Sequence, residues 1–141
     1  MSASRNAIAV MEAKRSGVYC APVSLDGLRM QAKTLNLLWL DMPLHIVSGK
    51  QQFIALCARQ LKLPSHFGGN WDALADCLRD LNWLKGAGFV LHFAGHEKFA
   101  NAAPEDYEIA LDVLREAAAF WKSRGMPFFV LVDGAKALPA Y

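Results

Sequence analysis

The sequence predicts an α/β fold, a small and mainly parallel sheet of three to four strands packed with about four helices. Two observations carry this. Apolar runs of strand length recur at residues 17–21, 37–42, 89–93 and 128–132, most of them nearly continuous in apolar residues. Strands covered on both faces read that way, whereas half-exposed strands alternate. Segments with helical spacing of apolar residues lie between these runs, which favours crossover connections and parallel pairing.

Each helical segment carries its own start or stop signal. Ser24 caps a stretch through Leu35 that places Leu28, Ala32 and Leu35 on one face. Ser48 with Gln51 three residues on reads as a capping box, followed by Phe53, Leu56, Cys57 and Leu61 at helical spacing. Asn70 is a favourable N-cap for a short helix whose apolar side carries Leu74, Cys77, Leu78 and Leu81. Pro104 opens a long helix with Glu105 and Asp106 in its first turn. Its inner face is Tyr107, Leu111, Leu114, Ala118 and Trp121, and Gly125 closes it. No interdomain linker, repeat or low-complexity tract interrupts the pattern, and residues 1–16 read as a frayed or loosely docked tail.

The 141 residues, 54% hydrophobic and 20% charged, suit one folded domain with its own core. No apolar run approaches the ~20 residues needed to cross a bilayer. The opening MSASRNAIAVMEAKRSG lacks the basic, apolar and small-residue pattern of a secretory leader, so a cytoplasmic location is expected. Three cysteines, Cys20, Cys57 and Cys77, have no metal-ligand spacing and read as free thiols.

The net charge of +2 divides unevenly. Residues 1–36 carry Arg5, Lys14, Arg15, Arg29 and Lys33 against Glu12 and Asp26, a net of +3. Residues 63–120 net −5. An acidic middle disfavours direct contact with nucleic acid and suits a basic protein partner; ordinary solvated helix faces are the other reading of the same charges.

Catalytic chemistry finds no foothold. His45, His66, His92 and His96 form neither HExxH nor a His/Cys cluster, and Gly68–Gly69 belongs to no phosphate-binding loop. Cys77 sits between apolar neighbours, which suits a buried thiol and not a nucleophile. No enzyme activity, cofactor or metal is therefore expected.

One local feature resists a purely structural account. Asp72, Asp76 and Asp80 recur every four residues, so on a helix each is rotated roughly 40° from the last and the three share a stripe. Like charges so spaced cost a helix about 0.2–0.5 kcal/mol per pair. Only Asp72, near the helix start, is favoured by the dipole. Beside the stripe, Phe67 reads as core, while His66 and Trp83 are open as exposed anchors.

The motif L-x-L-P-x-x-(aromatic)-G-x-N-x-D-A-L-x-D-C-L at residues 61–78 resembles the barstar family, intracellular inhibitors of guanyl-type ribonucleases such as barnase. The resemblance extends more weakly over residues 37–132 and implies a barstar-like two-layer fold. It divides the chain into an N-terminal extension, residues 1–36, a tail with a strand and helix expected to add to the sheet, and a barstar-like domain, residues 37–141. It implies inhibition by occupancy, in which a helix carboxylate replaces the RNA phosphate among the enzyme's cationic side chains. Matched by motif, Asp76 stands at the plugging carboxylate, with Asp72 one turn earlier, His66 in place of a contacting tyrosine, and Glu116 as an acidic contributor from the neighbouring helix. Asn70, Ala75 and Arg79 complete the implied partner-binding set.

The sequence departs from the family pattern in definite ways. Ala75 replaces a tryptophan, His66 replaces the tyrosine, and Arg79 lies three residues after Asp76, close enough to pair with it. The expected partner is a basic extracellular-type ribonuclease or toxin nuclease, with no direct nucleic acid, no membrane, and a monomer when free. The other reading is a barstar-fold interaction or regulatory module whose partner is not a ribonuclease.

Overall fold

A computed structural model describes residues 10–64 and 67–141. Four strands, β1 (Gly17–Cys20), β2 (Leu38–Met42), β3 (Phe89–Phe93) and β4 (Phe128–Val132), form one sheet in the order β1-β4-β3-β2. Every pairing is parallel. Five helices connect them: α1 (Asp26–Thr34), α2 (Lys50–Gln60), α3 (Trp71–Leu78), α4 (Glu97–Ala102) and α5 (Pro104–Ser123). The expected α/β architecture is thus present, with the sheet wholly parallel.

The strand order explains where the helices sit. From β2 to β3 to β4 the chain steps one way across the sheet, and α2 to α5 cover one face. From β1 to β2 it crosses the sheet in the opposite direction, and α1 lies on the other face. Opposite directions on opposite faces keep one handedness of crossover. The two inner strands are buried along their whole length, and alternate residues serve different cores. Phe89, Leu91, Phe93, Phe128, Val130 and Val132 face α2–α5. Val90, Phe129 and Leu131 face Met11, Leu28 and Ala32.

Several local signals differ from their expected form. Ser48 bonds Gln52 through both its N–H and its hydroxyl, and Gly49 is the N-cap of α2, so the box is closed one residue later than Gln51. Leu35 follows α1 and is more than a third exposed, so the inner face of that helix is Leu28 and Ala32 alone. Met11 is almost fully buried against the second face, so residues 10–16 are docked and not frayed. Pro104 begins α5 as expected, and Gly125 follows it with φ 73°, a left-handed position that glycine takes at least cost. Gly88 has a different reason to be glycine: a Cβ there would stand 2.6 Å from the Pro127 carbonyl oxygen.

Candidate functional site

Leu61 and Phe67 anchor the described chain that leads to α3. Leu61 is fully buried after α2, and Phe67 packs half-buried on the main core. Asn70 is extended, and its Oδ1 accepts from the Ala73 N–H at 2.8 Å, which satisfies one of the orphan donors of the helix start. Leu74 and Leu78 are completely buried and fix the rotation of α3 about its axis. At its far end the Trp121 indole donates to the Leu78 carbonyl at 2.7 Å, tying α3 to α5.

With that rotation fixed, Asp72 and Asp76 are exposed one turn apart. Asp80 does not extend the stripe. The helix ends at Leu78, and Asp80 lies in the following turn with its N–H bonded back to Cys77. Among the described residues it forms no ion pair, and Arg79 beside it turns to Asp76. Arg79 reaches back, its Nη2 donating to Asp76 Oδ1 at 2.6 Å. Asp76 remains 76% exposed despite that contact.

The rings beside α3 turn inward. Trp71 packs on Phe53 with centroids 5.9 Å apart, and the Trp83 indole donates to the Leu61 carbonyl at 2.8 Å. Trp83 is therefore a strut and not a free anchor. Ala75 is half-buried against the core. Glu116 is exposed on α5, the helix against which α3 packs, and Arg115 beside it pairs with Asp112 at 2.9 Å. His66 lies outside the described residues. Burial pushes the Cys77 thiol up, and Asp76 and Asp80 push it further, so it is disfavoured as a thiolate. Cys57 is fully buried and raised by desolvation alone.

A second polar cluster occupies the opposite face of the sheet. His92 is the one buried polar residue among those described. Its Nδ1 lies 3.1 Å from Asp41 Oδ1 and its Nε2 lies 2.9 Å from Asp133 Oδ1. Asp41 also accepts from Arg29 Nη2 at 3.0 Å and from the Trp39 indole at 3.1 Å. The Arg29 guanidinium stacks 4.5 Å from the Trp39 ring. Burial alone would raise the Asp41 carboxyl, but the bonds from Arg29, His92 and Trp39 outweigh it and hold the group below its ordinary value. Sequence reasoning missed this cluster. Its signal was a lone Asp and a lone His inside strand runs that are otherwise apolar, at Asp41 and His92.

No three His, Cys, Asp or Glu side chains gather as a metal site among the described residues. No helix among them is long and apolar enough to cross a membrane. Against protein-family models, residues 39–133 match Barstar, described as barstar (barnase inhibitor). The chain belongs to the barstar family. No curated protein sequence matches it. The match to the barstar family spans β2 to β4 with α2 to α5 and ends at Asp133; β1 and α1 precede it.

Proposed function

We propose that this chain inhibits a basic, guanyl-type ribonuclease or related toxin nuclease in the cytoplasm, covering its active site with α3 and the loop before it. The observation that carries the reading is the pair Asp72 and Asp76, both exposed on a helix held rigidly by Leu74, Leu78 and Trp121, inside a barstar-family match. A carboxylate presented this way meets the arginine and lysine side chains of a phosphate-binding site with charge-assisted bonds. It loses little conformational freedom in doing so, because the helix is already formed. Asn70, Ala75 and Arg79 on or beside α3 and Glu116 from α5 complete the contact face, with His66, which precedes α3 in the sequence, as a further contact in the proposal. The protein acts by occupancy and catalyses nothing.

Titration into barnase and into nucleases encoded beside it tests the reading, with loss of RNA cleavage as the readout. Asp76→Ala is expected to weaken inhibition at least a hundredfold, about 3 kcal/mol, the general range for a desolvated interface ion pair, to which barnase–barstar itself contributes. Inhibition unchanged by that substitution, or absent with every such nuclease, overturns it.

A second reading is favoured by the inward-turned rings and the Asp76–Arg79 pair. Trp71 and Trp83 are engaged in the protein itself, Ala75 offers no large side chain, and Asp76 already has a cation. Such a face suits a module whose partner is not a ribonuclease. Recovery of a non-nuclease protein whose binding is indifferent to Asp76→Ala would support it.

A further inference from the structure

On the flank of α5 facing the C-terminal segment, a cleft of about 440 Å³ opens beyond the carboxyl ends of β3 and β4. Open parallel sheets commonly take ligands beyond that edge, and the volume falls in the ordinary range for small-molecule sites. Three parts of the chain contribute side chains: His96 after β3, then Tyr107, Glu108, Leu111 and Arg115 from α5, and Lys136 after β4.

The polar groups of this cleft have spare capacity. The Tyr107 side chain is largely buried, and its hydroxyl has no hydrogen-bond partner among the described residues. Burial and Glu108 raise this phenol, against the opposing effect of Arg115, so it is held as a donor. His96 Nδ1 lies 3.1 Å from the Asp133 carbonyl oxygen. Because that oxygen only accepts, Nδ1 carries the hydrogen, while Glu97 lies 3.8 Å away at the same nitrogen. Nε2 is not engaged. One Arg115 nitrogen meets Asp112, and the rest of its five-donor fork is uncommitted. Lys136 is exposed and has no ion pair among the described residues. Arg115 and Lys136 face the cleft beside Glu108; Asp112, which does not line it, occupies one Arg115 nitrogen, so Lys136 is the cation there without a carboxylate partner among the described residues. Leu111 and its apolar neighbours form the floor.

We propose that this cleft binds a small organic anion, a carboxylate or phosphate monoester with an apolar body. The oxyanion meets Arg115, Lys136 and the Tyr107 hydroxyl, the body lies on Leu111, and Glu108 accepts from a hydroxyl or amine of the ligand. Phosphate and carboxylate share this recognition chemistry, and guanidinium forks suit both. The lining of the cleft contains none of the residues proposed to contact a nuclease, so the site stands whether or not the protein inhibits one.

The test is titration of the isotope-labelled chain with inorganic phosphate, benzoate and adenosine monophosphate at matched ionic strength, following backbone amide shifts. Saturable shifts confined to residues 96–115 and 134–138 are expected, with at least one organic anion tighter than inorganic phosphate and a dissociation constant of about a few millimolar or below. Lys136→Gln and Arg115→Gln should each weaken that binding about threefold or more. Lys136 is exposed, so its substitution should leave the melting temperature unchanged. Shifts that never saturate, that spread over lysines and arginines elsewhere, or that ignore both substitutions overturn the site. A response to inorganic phosphate equal to that of the organic anions overturns the assigned ligand class.

Discussion

Arg79 and Asp76 illustrate how one side chain sets the strength of another. An exposed ion pair contributes up to about 1 kcal/mol, and a partner that takes Asp76 must first compete with Arg79 for it. Arg79→Ala is therefore expected to tighten binding to an all-basic nuclease face such as that of barnase by up to about fivefold, measured by inhibition titration. Weaker binding in that variant would mean that Arg79 itself engages an acidic group of the partner. Asp41 couples stability to pH. Its carboxyl is held below its ordinary value in the folded chain, so it contributes stability that is fully present above the unfolded value, about pH 4, and is lost as pH falls through the folded one. Urea midpoints compared between pH 7 and pH 3 should fall less for Asp41→Asn than for the unaltered chain, which still has this carboxylate to protonate. An equal fall would show that the Arg29, His92 and Trp39 contacts add nothing to acid sensitivity.

Helix ends in this protein repeatedly use the left-handed region without glycine. Asn36, Lys62 and Leu81 all have positive φ, following α1, α2 and α3. Lys62 is exposed, so its side chain offers little to offset that conformation, which costs a non-glycine residue about 1–2 kcal/mol. Lys62→Gly is expected to stabilise the chain by about 0.5 kcal/mol after the extra unfolded-state entropy of glycine, read as a raised urea midpoint. A lowered midpoint would place useful packing in the Lys62 stem. What could be read of the elements from sequence follows the same physics. Strong local signals were sufficient: the Asn70 cap, Pro104 and Gly125 each mark an end that the fold uses. α4 escaped notice because six residues with a single buried side chain, Phe99, give no periodicity. Asp80 falls outside the helical stripe that its spacing predicts, since nothing in the sequence marks the end of α3 at Leu78. The clustering of Asp41, His92 and Asp133 depends on strand register, which spacing along the chain does not encode.

At the scale of the whole molecule, the segment outside the barstar match completes the sheet. β1 pairs with β4 along its length, and the C-terminal segment returns to join it, with a bridge between Cys20 and Ala140. On the second face, Met11, Leu28 and Ala32 cover Val90, Phe129 and Leu131, while Arg29 ties α1 to Asp41. Without this cover, buried apolar residues of both inner strands would meet water and β4 would become an unprotected edge. Large apolar side chains such as Met11, Val18 and Leu28 stabilise by about 1.5–3 kcal/mol each when fully buried. Their sum is comparable with the about 5–15 kcal/mol that holds an ordinary domain together. We propose on this basis that residues 10–36 act as an integral cover and not as a separable appendage to a domain at 37–141. A chain beginning at residue 37 is expected to aggregate or to bind a hydrophobic dye at neutral pH, and adding Phe129→Lys to it should reduce the aggregation by placing charge on the bared face. The contrary result is equally clear: if the shortened chain melts cooperatively at the temperature of the full one, the second face does not need its cover, and the two segments are independent parts.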